Sequence, residues 1–379
     1  MSDVRMVKLG DVLTFVGVPE KITEPAIEKY VTVQNNGRGA IRRVIKDGKS
    51  PVPFTGYRIK PGQFIYSRID ARNGAFAIIP EELDNFVVSK DFPIFEVQNH
   101  LVTPQYLLEF LKSGNIQKII QNLSRGATNR QRIKEAEFLD FPFPLPSLEE
   151  QKRIVSILDK AKSIQEARER QLAALDELIT TIFKNLLSGK YPSSPLGKLA
   201  TFYGGSSLPE GSVVPSKSFS MLMKVSDMNR SGNEKYIAAT GLYSTQTTTG
   251  NSTCPKGSIV LPKRGASILT NKKRITTQNT MLDPNLMGIT PNSSVNLEYL
   301  YNWFQCFDLA TIVSGSSVPQ INKRDLSPLK VPVPPLYLQE ELAHKIKIIE
   351  AQAILTRKSL ELDKTLFSSL QSSLLRSKC

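Results

Sequence analysis

Cysteine, histidine and long apolar runs are all scarce in this sequence. Cys254, Cys306 and Cys379 are its only cysteines, too far apart for a disulfide framework or a zinc-ligand spacing, and a reducing cytoplasm is the expected compartment. Two histidines, His100 and His344, leave no cluster for a metal hydrolase and no spare base for a Ser-His triad. His344 stands in a helical pattern beside Lys345 and Lys347, as a solvated residue would, and His100 follows Asn99 in a turn-like stretch. No apolar run approaches the ~18 residues of a membrane span, and Asp3, Arg5, Lys8 and Asp11 crowd the start, so neither export nor insertion is expected. Gly48-Lys49-Ser50 imitates the tail of a phosphate-binding loop, but Arg43 stands where its first glycine belongs. The nearest string to an adenine-methyltransferase motif, Asp283-Pro284-Asn285-Leu286, lacks the second proline and the aromatic residue.

What remains is an ordinary globular composition, 40% hydrophobic and 22% charged, in 379 residues. A single core stops growing near ~250–300 residues, so two domains are expected. An internal repeat supports the division. Ser124-Arg125-Gly126 leads through Gln131 to Pro142-Phe143-Pro144-Leu145-Pro146 and Leu148-Glu149-Glu150; Ser314-Gly315-Ser316 leads through Gln320 to Pro332-Val333-Pro334-Pro335 and Leu338-Gln339-Glu340-Glu341. Gln131 and Gln320 are 189 positions apart, Pro142 and Pro332 190. Tyr106 to Leu111 parallels Tyr299 to Phe304 as a short amphipathic helix, and Val7 to Val12 echoes Pro195 to Ala200.

After each proline segment comes a long helical pattern. Ser147, three residues before Glu150, has capping-box spacing, and Gly189 with Pro192 marks the end; Tyr337 stands where the second copy would carry its serine. In the first, Ile154, Leu158, Ala161, Gln165, Arg168, Leu172, Leu175, Ile179, Ile182 and Leu186 step by four and three. Leu342, Ile346, Ile349, Ala353, Thr356, Leu360, Asp363, Phe367, Leu370 and Leu374 repeat those steps 188 positions later. Each helix would run roughly 38 residues, on the order of 57 Å. Such a rod cannot hide its seam alone, so the two are expected to pair antiparallel, sending their globules to opposite ends as a spacer would. The expected order is a globule over 1–148, a helix over 149–189, a globule over 190–337 and a helix over 338–379.

The formal charge is 49 − 35 = +14. Residues 1–148 hold 20 basic and 16 acidic side chains (+4), and 190–337 hold 15 and 7 (+8), so the surplus sits in the globules. It suits a polyanionic partner, and equally simple solubility. Arg38, Arg42 and Arg43 stand in a Gly- and Asn-rich stretch, and Arg68 and Arg72 flank Asp70. In the second globule Lys263, Arg264, Lys272, Lys273 and Arg274 flank a strand-like Ile268-Leu269-Thr270. Arg125, Asn129, Arg130, Gln131, Arg132 and Lys134 mix cations and amides just before the first proline segment, as Ser316, Gln320, Asn322, Lys323 and Arg324 do before the second. Arginine and amide side chains on loops suit phosphate contacts and base-edge reading; they are equally at home as solvated or strand-capping residues.

The strings P-L-P-S-L-E-E-Q-K-R-I (Pro144 to Ile154) and V-P-V-P-P-L-Y-L-Q-E-E-L (Val331 to Leu342), each opening a long helix after a globule, resemble the DNA-specificity subunit of type I restriction-modification systems. S-G-S-S-V-P-Q-I-N-K-R-D-L (Ser314 to Leu326) is similar to a recurrent segment of its target-recognition domains. The resemblance covers essentially the whole chain; the N-R-Q-R string and Arg125 of the first copy depart from the family's usual small and Pro-Gln pattern. It implies an α+β fold, with two target-recognition domains in tandem, each followed by a long helix, and the helices paired as an antiparallel coiled coil. It further implies a subunit without an active site. Each domain would read one half of a bipartite target in double-stranded DNA, and the helices would set the gap and dock methyltransferase subunits, two being expected. Restriction subunits would join through that complex. S-adenosylmethionine, ATP and magnesium would belong to the partners, and no membrane is involved. Other readings remain open: a scaffold that binds only proteins, a nuclease or methyltransferase-nuclease, and a solitary specificity protein of a phage-defence system.

Overall fold

A computed structural model describes residues 4–44, 52–114, 116–117, 120, 132–207, 211–215, 220–245, 250–313 and 318–375. Among the described residues, the longer helices are α1 (Pro104–Lys112), α2 (Leu148–Leu187), α3 (Leu297–Cys306) and α4 (Leu336–Leu374). The chain divides into two compact units, Met1–Glu169 with Lys358–Cys379, and Arg170–Arg357, so each long helix contributes to both. Among the described residues, no helix is long and apolar enough to cross a membrane.

Both units are α+β and repeat one plan. In the first, the strand Arg5–Lys8 pairs antiparallel with Pro142–Leu145, placing Val7 against Phe143. In the second, Ser193–Pro195 pairs in the same way with Lys330–Pro332. The main sheet of the first unit runs in the order Leu13–Phe15, Ile94–Val97, Phe64–Tyr66, Phe76–Ile78. Its counterpart begins Ala200–Gly204, Leu286–Pro291, Ile259–Pro262, Arg274–Thr276 and adds Tyr236–Ile237 at the edge. The short helix packs on this sheet in each case. Its start is fixed by a cap: the Thr103 hydroxyl accepts from the Tyr106 amide before Pro104 of α1, and the Asn296 side chain accepts from the amides of Glu298 and Tyr299 in α3.

Aromatic rings fill the first core. Phe64, Tyr66, Phe76, Phe95 and Phe138 interlock, with Tyr66 and Phe138 stacked at 4.2 Å between centroids. Ile154 and Leu158 of α2 and Leu370 and Leu374 of α4 join this core. Farther along α2, the Gln165 amide donates to the Asp363 carbonyl and Arg168 lies 3.6 Å from the Asp363 carboxylate, so the polar interruptions of the two seams meet. Rising numbers on α2 thus meet falling numbers on α4, which is antiparallel pairing. Within the second unit, Ile179, Ile182 and Leu186 share a core with Leu342 and Ile346, in the same sense. Leu342, Ile346, Ile349 and Leu360 are buried; Leu172, Leu175, Phe367, Leu370 and Leu374 are partly so. Phe183, which the stepping pattern leaves off the seam, is 1% exposed and packs against Tyr299.

Two sequence expectations need correction. Equivalent hydrogen bonds relate Ile133 to Ile321 and Pro144 to Pro332, so the repeat keeps one offset of 188 from the cationic loop into the helices, and Pro332 answers to Pro144 rather than Pro142. The strand-like Ile268-Leu269-Thr270 is a turn of 3-10 helix, Ala266–Thr270. Gly265 at φ +77° opens it and Asn271 in the left-handed region closes it, which an extended strand would not tolerate.

Candidate nucleic-acid interface

In each unit the chain leaves the third strand of the main sheet and crosses the segment that leads toward the long helix. In the first, the Arg68 carbonyl accepts from the Ile133 amide at 3.1 Å. In the second, the Lys263 carbonyl accepts from the Ile321 amide at 2.9 Å, Gly265 donates to Pro319, and Arg264 bridges Gln320. Side chains more than fifty positions apart thereby share one edge: Arg68 with Arg132 and Lys134, and Lys263 and Arg264 with Gln320, Asn322, Lys323 and Arg324.

The two edges differ electrically. Arg68 Nη2 lies 2.9 Å from Glu135, and Arg132 is bidentate to Asp91 at 3.0 Å. Lys134 is exposed and begins a helical turn that Glu137 caps by accepting its backbone amide. At the second edge, Lys323 lies 5.8 Å over the Phe202 ring and Arg324 points outward. Lys263 reaches toward the Gly205 carbonyl, and burial there holds its pKa below the ordinary lysine value, so its charge is partly desolvated. Among the described residues no carboxylate lies within ion-pair distance of Lys263, Arg264 or Lys323. Gln320 donates to Asn322 Oδ1, while Asp325 caps the Asn322 amide and so starts the helical turn Lys323–Leu326. Gly205 lets this edge close: a Cβ there would fall 1.7 Å from the Asp283 carbonyl oxygen.

A second basic feature of the first unit is the hairpin of Val31–Val33 and Ala40–Arg42. Arg38, Arg42 and Arg43 are exposed on it, and Gly37 donates to the Gly74 carbonyl at 2.7 Å, which sets the Arg38 turn beside the Arg72 turn.

The second lysine group is not a surface patch. Lys273 is fully buried; its ammonium donates to Asn271 Oδ1 at 2.7 Å and to the Phe307 carbonyl, at the C-terminal end of α3, at 2.8 Å. Burial pushes its pKa down to about 8. Arg274 spends its guanidinium on the Met228 and Lys273 carbonyls, and Lys272 bonds Asn229. Lys273 and Arg274 are therefore withdrawn as nucleic-acid contacts, because they fasten loops from within. Arg125, Asn129, Arg130, Gln131 and Ser316, like Gly48-Lys49-Ser50, lie outside the described residues. Gln151 and Gln339, which the sequence does not single out, are fully buried at the roots of the long helices. Their shared offset of 188 was the available signal.

Comparison with known proteins agrees with the tandem fold. The family model of the type I restriction modification DNA specificity domain matches residues 1–176 and 212–363. A Methanocaldococcus jannaschii sequence described as the type I restriction enzyme MjaX specificity subunit is 22% identical over 329 residues, 80% of this chain and 75% of its own length. The HindI specificity subunit of Haemophilus influenzae is 27% identical over 129 residues, 34% of this chain and 28% of its own. A chain from a structure of type I restriction-modification complex assembly superposes with a TM-score of 0.68 at 15% identity, covering 100% of this chain and 99% of its own. The HsdS subunit of Thermoanaerobacter tengcongensis gives 0.55 at 15% identity, covering 100% and 98%. These structures share the fold.

Proposed function

The chain belongs to the type I restriction-modification DNA specificity family, and from that premise we propose that it is the DNA-recognition subunit of such a complex, each globule reading one half of a bipartite target. The observation that carries the reading is the repeated crossing that gathers cations and amides from distant segments at one edge of each unit, Arg68 with Ile133 and Lys263 with Ile321. Lys263, Lys323 and Arg324 set register on phosphates, while Arg264 and Gln320 suit guanine and adenine edges. In the first unit the exposed cations of the hairpin, Arg38, Arg42 and Arg43, take the phosphate role. The paired long helices fix the unread gap and dock two methyltransferase subunits, and restriction subunits enter through them. The chain itself performs no reaction. S-adenosylmethionine serves adenine methylation in the methyltransferase, and ATP and magnesium serve the restriction subunit.

The test is modified-base sequencing of the native host with the gene intact and deleted. Loss of N6-methyladenine from one split motif supports the reading, and unchanged methylation contradicts it. Salt-dependent retention of the assembled complex on DNA separates it from a scaffold that binds only proteins, because phosphate contacts weaken steeply with salt.

A further inference from the structure

Each long helix is rooted in its globule by the same three-part joint. Gln151 and Gln339 are the fourth residues of α2 and α4, and both are 0% exposed. Gln151 Oε1 accepts from the amide of Thr103, the residue that caps α1, at 2.8 Å, and Gln339 Oε1 accepts from the amide of Asn296, the residue that caps α3, at 2.8 Å. On the other side, Gln151 Nε2 donates to the carbonyls of Leu101 and Pro146, and Gln339 Nε2 to that of Pro334. Tyr106 and Tyr299, the third residues of α1 and α3, close the joint by donating to the carbonyls of Pro144 and Pro332.

The segment so held is the only covalent link between the last strand of each globule and the helix that follows. Its prolines fix φ near −65°, and its carbonyls are taken two residues apart by the tyrosine and the glutamine. A buried amide with its partners satisfied is directional, whereas an apolar side chain of equal volume would fill the space without fixing an angle. The edges that face nucleic acid differ between the globules, yet the joint recurs in both, Gln151 making one further bond, to the Leu101 carbonyl.

We infer that Gln151 with Tyr106, and Gln339 with Tyr299, are positioning residues for target spacing: by fixing the angle at which each globule leaves its helix, they restrict recognition to one gap length. The inference rests on the DNA-recognition reading above. The joint acts through the globule and does not itself touch DNA.

The experiment uses the full chain assembled with its methyltransferase partners in cells carrying a plasmid library in which the gap between unchanged half-sites is lengthened or shortened. Methylation is read by modified-base sequencing. The parent should methylate a single gap. In Gln151→Leu, a gap one base pair away should rise to about a tenth of the parental level or more, the loss of discrimination expected for a missing buried hydrogen bond, with both half-sites unaltered. Gln339→Leu should relax less, because it removes two amide bonds rather than three. The double variant Tyr106→Phe with Tyr299→Phe keeps the packing and should relax in the same direction; it decides the matter should the glutamine variants fail to assemble. A parallel fall at every gap with the single preference retained is what a merely structural contact would give, and it overturns the inference, as does methylation identical to the parent. A parent that methylates no split motif sinks the recognition reading, and this inference with it.

Discussion

In the first globule the arginines at the crossing are held by carboxylates, Arg68 by Glu135 and Arg132 by Asp91, and exposed arginines without a carboxylate partner among the described residues sit instead on the 31–42 hairpin. In the second, Lys263, Arg264 and Lys323 stand at the crossing itself with no carboxylate partner among the described residues. The sheet order, the caps of the short helices and the glutamine roots are common to both. The difference follows from what each part must do. A frame that carries two readers has to be the same twice, while readers of different bases have to differ at the surface.

The most disruptive way to break the comparison is to collapse one crossing. Gly205→Ala would drive a Cβ to 1.7 Å from the Asp283 carbonyl, backbone that cannot swing away. A loss of about 3 kcal/mol or more is expected in the thermal unfolding of the second unit. Gly204→Ala, whose nearest neighbour would be the flexible Lys263 ammonium at 3.6 Å, should cost little. Next comes charge. Lys263→Glu with Lys323→Glu should weaken specific binding by the assembled complex about ten- to a hundredfold and reduce the salt slope by roughly 2, measured by fluorescence anisotropy. The matching reversal in the first unit, Arg68→Glu with Arg132→Glu, should weaken binding less, and Arg42→Glu with Arg43→Glu more than that. Equal effects from both crossings would erase the distinction.

Lys273 sharpens the comparison through pH. Its folded-state pKa of about 8 lies below the ordinary lysine value of 10.5. Between those values the unfolded chain binds the extra proton, so the parent gains stability as pH rises from 8 toward 10.5, and below 8 the full burial penalty is present. Relative to Lys273→Met, the parent should gain on the order of 1–3 kcal/mol across that window in denaturant titrations. No gain would mean that the ammonium stays charged. The smallest effect is expected for Arg132→Gln: its side chain is 60% exposed, so the change should cost under about 1 kcal/mol.

The frame was legible in the sequence because its signals are local. The seam follows from steps of three and four, and the pairing of α2 with α4 from their matched phase, while its antiparallel sense is shown by the contacts themselves. The cap at Ser147 was readable from the serine itself, whose hydroxyl accepts the Glu150 amide. The site was less legible, since whether a cation meets solvent depends on partners that folding alone brings in. Lys272, Lys273 and Arg274 look alike in sequence, yet the middle one ends inside, against the end of α3. Gln151 and Gln339 were passed over for the converse reason: glutamine near a helix start reads as surface until tertiary structure supplies Thr103 and Asn296.

The most direct test of the account is to exchange residues 190–337 for the corresponding segment of another family member, assemble the chimera with its methyltransferase partners and sequence the modified bases. The account predicts that one half of the split motif changes while the other half and the gap stay as they were. A change in both halves would contradict it.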